Sequence, residues 1–212
     1  AVFQLSREWL ADNGLMLLST GAAQFRGFYS TDTPVYEVDD VKMLKCRVYS
    51  DTLVMGFWSD ICNASPMSMG EVYTAMQTNA IDGLEFAASS GIARKLYEVC
   101  DYYSDIDWQW VSAANLVFTK STWDALEPEV QELVLECAIE MAEYQGELER
   151  QDTANAEVYL EEQGMTIIHL TDEQRQTWID YARTLDDEFR EFIGAEAWDA
   201  TMAAINEYRG TA

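Results

Sequence analysis

The sequence has few basic residues and a single histidine. It holds 13 lysines and arginines against 38 aspartates and glutamates, which gives a formal net charge of −25 at pH 7. A charge of this sign repels the phosphates of nucleic acids and of anionic lipid surfaces. We therefore expect no nucleic-acid partner. A small anionic ligand stays compatible with the sequence, because the local arrangement of the few cations decides such binding.

Motifs for catalysis and for metal binding are also missing. The chain has no G-x-S-x-G sequence, no phosphate-binding loop and no cluster of residues with the spacing of metal ligands. Its four cysteines, Cys46, Cys62, Cys100 and Cys137, show no C-x-x-C spacing, so buried free thiols are expected. The lone His169 is expected to be structural. No cofactor and no metal ion are implied by these residues.

Long apolar runs are absent. No run of eighteen apolar residues occurs, so we expect no direct insertion into a membrane. With 212 residues, of which 49% are apolar, the chain can nevertheless bury a substantial core, as one large domain or as two lobes.

The residues that are present predict an α/β fold. Ser68 and Glu71 form an S-x-x-E capping box, which predicts a helix that begins at about Met69 and ends near Asn79. The run 80–85 that follows is typical of a short strand, and another strand-like run precedes the helix. Strand, helix and strand in succession indicate an α/β unit.

Two further helical signals lie in the second half of the chain. Pro128 stands in the first turn of a long apolar-periodic segment that continues to Gly164, which predicts one long helix. Thr171 and Gln174 make a second capping box, which predicts another helix start.

Arg47 is the most informative single residue. It lies in the apolar context LKCRV, where a strand would bury it. A buried guanidinium cannot be neutralised by losing its proton, so it needs an anion, and a carboxylate matches its fork of donors. That carboxylate could belong to the chain itself or to a ligand, and the residues alone leave both interpretations open.

A set of short motifs in a fixed order resembles one family. The set comprises Arg26, Pro34-Val35, Asp40, Leu44-Lys45-Cys46-Arg47-Val48, Pro66-Met67, Glu71-Val72-Tyr73, Ala75-Met76-Gln77, Asp82-Gly83, Glu85 and Tyr97-Glu98-Val99. In order and spacing it resembles the solute-binding proteins of tripartite ATP-independent periplasmic (TRAP) transporters, in the dicarboxylate/sialate-binding branch. The resemblance runs from about Leu15 to Gly164 and more weakly to the end.

The resemblance implies the parts of a ligand site. Arg47 would clamp the carboxylate of a small organic acid, and Arg26 would assist as a second cation. Backbone donors near the helix start at Met69 would also face the ligand. Phe86 stands where the family usually has asparagine, and Trp108 stands where it often has histidine. Both departures make the site more apolar and favour a ligand with one carboxylate and an aromatic or aliphatic body.

Glu85 raises the question of a metal ion. The pair Glu85-Phe86 resembles a pair that helps to hold a metal between protein and ligand in some relatives. One carboxylate makes a poor oxygen cage by itself. The spacing from Asp82 to Val99 fits the metal-free branch better, so Glu85 is assigned to the ligand site without a metal.

The resemblance also implies an architecture and a location. We expect a two-lobed α/β fold of the periplasmic-binding-protein type, with the long helix bridging the lobes and the first lobe incomplete. Residues 1–24 and 113–152 would form the remainder of lobe I with the bridging helix, and residues 25–112 and 153–212 would form lobe II. The front part of the first lobe and any export signal are expected to lie outside this sequence. The full-length protein would be periplasmic or otherwise extracytoplasmic, with a lipid anchor left open, and would deliver its ligand to TRAP permease subunits.

The sequence leaves two other functions as alternatives. A ligand-sensing domain could use the same fold, since fold alone does not decide function. A carboxylate-dependent hydrolase or lyase would have to use Glu71, Asp82 or Glu85. Because Glu71 is explained as a helix cap and Asp82 as a turn residue, we expect the protein not to be an enzyme.

Overall fold

The computed structural model describes residues 2–21, 23–112 and 115–210. The strands of these residues are β1 (Leu15–Thr20), β2 (Ala23–Ser30), β3 (Lys45–Val48), β4 (Asn63–Pro66), β5 (Gly83–Phe86), β6 (Tyr102–Ser112), β7 (Asn115–Thr119) and β8 (Thr166–Ile168). The helices are α1 (Val2–Asp12), α2 (Thr52–Ser59), α3 (Val72–Gln77), α4 (Ala88–Ala93), α5 (Lys120–Asp124), α6 (Pro128–Glu162), α7 (Asp172–Thr184), α8 (Asp186–Ile193) and α9 (Ala195–Arg209). Strands and helices alternate along much of the chain, which confirms the predicted α/β class.

The chain divides into two compact units. The first unit comprises Ala1–Ala23, Ser112–Arg150 and Asp187–Ala212, and the second comprises Gln24–Val111 and Gln151–Asp186. Three of these boundaries lie within two residues of the predicted ones. The fourth boundary, between Asp186 and Asp187, was not predicted, because we expected all of residues 153–212 in lobe II, whereas residues 187–212 are grouped with the first unit. Helix α9 of that segment contacts α1, which explains the assignment.

The second unit is built on a six-stranded sheet with the order β4-β3-β5-β2-β6-β8. Strand β3 pairs in parallel with both β4 and β5, and β6 pairs in parallel with β8. Strands β2 and β5 pair antiparallel, with Gly27 opposite Phe86 and Phe28 opposite Glu85. The carboxyl ends of the parallel strands β4, β3 and β5 therefore meet at one edge of the sheet, and the start of β2 lies at the same edge. In open α/β sheets this is the edge at which ligands bind.

Side chains on the two faces of the sheet pack into separate apolar groups, because successive residues of a strand point to opposite faces. On one face the ring of Tyr29 lies 4.8 Å from that of Tyr103, within a buried cluster that includes Leu84 and Leu160. The neighbouring residue Phe28 stacks instead on Trp58 of α2, with ring centroids 5.5 Å apart. Helices thus cover both faces, so that polar groups in this sheet are withdrawn from water.

The two capping boxes differ in the structure. At Thr171 the box is complete: its hydroxyl accepts a hydrogen bond from the Gln174 backbone N–H, and the Gln174 side chain accepts one from the Thr171 N–H. At Ser68 only half of the box forms. The Ser68 hydroxyl donates to the Glu71 carboxylate at 2.5 Å and does not cap the helix, so α3 begins at Val72 and the predicted start at Met69 is wrong.

The first unit contains a two-stranded antiparallel sheet of β1 and β7. Leu18, Trp123 and Ala138 form its buried core. The predicted long helix is confirmed as α6, which has 35 residues. Cys137 on this helix is exposed, contrary to the expected burial, whereas the other three cysteines are buried and all four are free. Within the described residues, no helix combines the length and the apolar character needed to cross a bilayer.

Candidate functional site

Arg47 is a buried cation at the carboxyl edge of the sheet. It is the third residue of β3, which lies between two parallel neighbours, and only 5% of its surface is exposed. Its Nε donates a hydrogen bond to the carbonyl oxygen of Met67, just beyond β4, at 3.0 Å. Its guanidinium carbon lies 5.5 Å from the centroid of the Tyr49 ring, a cation–π distance. Burial lowers the pKa of Arg47, and the nearby carboxylate of Glu85 opposes that effect.

Arg47 has no ion-pair partner in the part of the chain that the structure describes. The interpretation of Arg47 as half of an internal ion pair therefore finds no support among residues 2–21, 23–112 and 115–210. The donors on its two terminal nitrogens are suited to an anion that comes from outside the chain.

Arg26, by contrast, is neutralised inside the protein. Its Nε donates a hydrogen bond to one carboxylate oxygen of Glu85. One of its terminal nitrogens donates to the other carboxylate oxygen at 3.0 Å and to the backbone oxygen of Glu85 at 3.1 Å. Aromatic rings lie against its guanidinium group: the centroid of Tyr49 is 5.0 Å away and that of Phe86 is 5.3 Å away. The Tyr49 ring lies against the guanidinium groups of both Arg26 and Arg47, so the two arginines are neighbours.

Glu85 is the carboxylate that pairs with Arg26, and it is deeply buried, with 1% of its surface exposed. Burial raises the pKa of Glu85 to about 7, while the charges of Arg26 and Arg47 act in the opposite direction. The three side chains together carry a net charge of +1 when Glu85 is ionised. One carboxylate brought to Arg47 would make the group electrically neutral, which is the favourable arrangement for buried charges.

The carboxylates considered for catalysis have partners within the protein. Both carboxylate oxygens of Glu85 accept hydrogen bonds from Arg26. The other candidates for a catalytic carboxylate have structural partners: Asp82 accepts a hydrogen bond from the backbone N–H of Lys45 at 2.8 Å, and Glu71 binds Ser68. Among the described residues, no group of three or more histidine, cysteine, aspartate or glutamate side chains could hold a metal ion.

The structure brings together four of the six predicted site residues. Arg26, Arg47, Glu85 and Phe86 form one group, whereas Met69 packs against the apolar cluster on one face of the sheet. Helix α3 has only six residues and begins beyond Met69, so the predicted donors at a helix start are not formed there.

The sixth residue, Trp108, belongs to β6, but its side chain lies outside the described part of the structure.

Sequence reasoning missed Tyr49, whose ring lies against both guanidinium groups. A signal was available, because Tyr49 follows Arg47 by two residues and an extended chain turns such residues to the same side. The carbonyl of Met67 was also missed, since no side-chain pattern indicates a backbone acceptor.

A separate cavity in the second unit does not include these cations. Its volume is about 140 Å³, and its lining includes Asp105, Asp107 and Glu157. Arg175 donates to both aspartates, and His169 lies 3.0 Å from Asp105. Three carboxylates therefore stand on the wall of this cavity, whereas the group around Arg47 presents cations.

Comparison with known proteins places the chain among binding proteins. Residues 3–191 match the family described as bacterial extracellular solute-binding protein, family 7. The C4-dicarboxylate-binding periplasmic protein DctP of Vibrio cholerae is 33% identical over 178 residues, which cover 82% of this chain and 53% of that protein. The chain therefore spans about half the length of this relative.

Two solved structures are similar to the whole fold. A TRAP periplasmic solute-binding protein from Ochrobactrum anthropi superimposes with a TM-score of 0.89 at 28% identity, covering 100% of this chain and 66% of that one. Another from Chromohalobacter salexigens, solved with bound D-glucuronate, gives a TM-score of 0.84 at 25% identity and covers 98% and 67%. The resemblance to the solute-binding proteins of TRAP transporters is thereby confirmed, and the chain belongs to family 7 of the bacterial extracellular solute-binding proteins.

Proposed function

We propose that the complete protein captures a small organic acid outside the cytoplasm and delivers it to a TRAP permease. One observation carries this proposal: Arg47 is a buried cation without an ion-pair partner among the described residues, beside a second arginine that is neutralised internally. A ligand carboxylate would supply the negative charge that Arg47 lacks and would accept hydrogen bonds from its terminal nitrogens. Arg47 lies at the carboxyl edge of the parallel strands, which is where α/β sheets bind ligands.

The family supports the location and the class of ligand. The relative from Vibrio cholerae is named as periplasmic and as binding C4-dicarboxylates, and the structure from Chromohalobacter salexigens holds D-glucuronate. Both kinds of ligand carry a carboxylate. The same relatives are solute-binding proteins, which supports transport over catalysis. In this assignment the two compact units correspond to parts of the two lobes, and α6 is the helix common to both.

Within this class we favour an acid with one carboxylate at Arg47 and an apolar body. Phe86 supports this choice, because its ring lies over Arg26 at the point where an asparagine would offer a hydrogen bond to a hydroxyl group. The charge of the group supports it as well, since one carboxylate balances its net charge of +1.

The proposal can be tested by thermal shift and calorimetry on the full-length protein. Aliphatic and aromatic monocarboxylates, dicarboxylates and sugar acids would be compared, each with its methyl ester as an uncharged control and each with and without calcium. An acid present at 100 times its Kd should raise the free energy of unfolding by about 2.7 kcal/mol, while its ester should not. If no acid changed the melting temperature, or if esters and acids acted alike, the proposal would be wrong.

A further inference from the structure

Tyr49 contacts both arginines of the candidate site. Its ring centroid lies 5.0 Å from the guanidinium carbon of Arg26 and 5.5 Å from that of Arg47. Both distances are those of cation–π interactions, in which the negative face of an aromatic ring attracts a cation. One side chain thus connects a cation of β2 with a cation of β3, although β5 separates these two strands in the sheet.

The local backbone holds this ring in place. Tyr49 is the first residue after β3, and the N–H of Asp51 donates to its carbonyl oxygen at 2.8 Å, which closes a tight turn. The carboxylate of Asp51 then caps α2 by accepting hydrogen bonds from the N–H groups of Leu53 and Val54. Tyr49 is therefore anchored between a strand and a capped helix, although its side chain is only half-buried.

Two contacts orient the guanidinium group of Arg47. Its Nε donates to the carbonyl oxygen of Met67 at 3.0 Å, and the ring of Tyr49 lies against the group. Neither contact is a hydrogen bond from the terminal nitrogens, which carry four of the five N–H donors of an arginine. These two contacts can therefore fix the direction of the side chain while its terminal donors still bind an anion.

The charges explain why an aromatic residue suits this position. Burial lowers the pKa of Arg47, and the charge of Arg26 acts in the same direction, so the two cations disfavour each other. A further carboxylate would relieve this repulsion, but it would also neutralise the cation that has to bind the ligand. A ring attracts both guanidinium groups without neutralising either of them.

We propose that Tyr49 is a positioning residue of the ligand site: its ring holds the guanidinium groups of Arg26 and Arg47, so that Arg47 is oriented before the ligand carboxylate arrives. This inference rests on the proposed function, in which Arg47 receives that carboxylate. Ordering a long side chain during binding costs free energy, and a side chain that is already ordered avoids this cost. The effect belongs to the ring, so the hydroxyl group of Tyr49 is dispensable.

Calorimetry on variants of the full-length protein tests this role. The probe is the acid that gives the largest thermal shift among benzoate, hexanoate, succinate and D-glucuronate. Tyr49→Leu should weaken its binding by about tenfold, because the cation–π contact is lost and Arg47 is ordered only on binding. Tyr49→Phe keeps the ring and should bind within about twofold of the unmodified protein. Tyr36→Leu, which alters an exposed tyrosine of the same unit, is the matched control and should bind as the unmodified protein does.

The Nε–H signals of the arginines in nuclear magnetic resonance spectra give a second readout, which a general loss of stability does not change. In protein labelled with ¹⁵N-arginine, Arg26→Lys and Arg47→Lys identify the two signals by their disappearance. Tyr49→Leu should shift both signals of the ligand-free protein, because the magnetic effect of the ring is lost. Tyr49→Phe and Tyr36→Leu should leave both close to their original positions.

The outcomes separate this proposal from the transport function. If Tyr49→Leu bound the acid as tightly as the unmodified protein, if Tyr49→Phe lost as much affinity as Tyr49→Leu, or if the arginine signals did not move, the positioning role would be overturned. Failure of the transport function has a different result, since the unmodified protein would then bind none of the acids. In that case the arginine signals alone decide whether Tyr49 holds the two guanidinium groups.

Discussion

At the scale of residues, the two arginines have different roles although both are buried cations. The burial of Arg47 was predicted from sequence because a guanidinium in an apolar strand context is rare, and its role as a clamp stays a prediction based on the ordered motifs that resemble one family. The pairing of Arg26 with Glu85 was not predicted, because it joins residues 59 positions apart and depends on the register of β2 against β5. With 38 acidic residues in the chain, composition gave no reason to choose this one.

Replacing Arg47 should have the largest effect on ligand binding. Arg47→Ala in the full-length protein should weaken the binding of a carboxylate ligand by about 2–5 kcal/mol, because one partner of a buried charge pair is removed. Calorimetry measures the change, with Arg94→Ala as the control, since Arg94 is an exposed cation of the same unit. Unchanged affinity in Arg47→Ala would contradict its role as the clamp.

The pH dependence of binding should report on Glu85. Its pKa is raised to about 7 by burial, so lowering the pH from 8 to 6 protonates it and removes a negative charge beside the ligand carboxylate. A bound anion raises this pKa further, so the complex holds the proton more tightly and affinity should increase as pH falls, by up to about tenfold. The ligand carboxyl, with an ordinary pKa of about 4, stays ionised throughout this range. Burial raises the pKa of Tyr49 above its ordinary value, so this neighbour does not titrate in the same range.

Calorimetry in buffers of different ionisation enthalpy would measure the proton uptake directly. Glu85→Gln has no proton to gain and should give an affinity that is independent of pH. If the affinity of the unmodified protein decreased from pH 8 to pH 6, the predicted direction of the pH dependence would be wrong.

At the scale of elements, the sequence predicted the existence of helices better than the residues at which they begin. The long helix and the Thr171 capping box were predicted from periodicity and from side chains that bond locally. The start of α3 was placed three residues too early, because the Ser68 hydroxyl donates to Glu71 and does not accept from the helix. A motif of two residues does not specify which of these two hydrogen bonds forms.

Strands β6 and β2 lie so close together at Gly27 that no space is left for a side chain at this position. A Cβ there would lie 2.4 Å from the Tyr103 ring and hydroxyl and 2.5 Å from the backbone oxygen of Ser104, and a backbone atom cannot turn aside. Gly27→Ala should therefore lower the free energy of unfolding by about 3 kcal/mol, at the upper end of the usual effect of overpacking. Urea unfolding followed by fluorescence measures the loss. Gly70→Ala, which meets nothing within 4 Å, should change stability by less than about 0.5 kcal/mol, and equal effects of the two substitutions would contradict the packing described here.

At the scale of the whole molecule, the acidic composition and the local site have opposite electrostatic characters. The chain carries a net charge of −25, yet the group of Arg26, Arg47 and Glu85 has a net charge of +1 when Glu85 is ionised. Composition predicts that nucleic acid is not a partner, but it could not locate this group. Three of the four boundaries between units were close to prediction, whereas the placement of the C-terminal segment required the contact of α9 with α1, which no local pattern encodes.

Self-repulsion of this charge should make stability depend on salt. Raising NaCl from 10 to 300 mM shortens the Debye length from about 30 Å to below 8 Å, so the melting temperature should increase by several degrees. KCl should act like NaCl if screening is the cause. A melting temperature that stays constant or falls with added salt would contradict this account.

The separation of Arg47 and Phe86 on different strands has an evolutionary consequence. In the function we propose, β3 supplies the anchor for the carboxylate, and position 86 on β5 borders the rest of the ligand. Natural selection can therefore exchange the residue at position 86 and change which compounds are taken up, while the anchor is inherited unchanged. A lineage of such proteins can diversify its nutrients without passing through a form that has lost the ability to hold an acid.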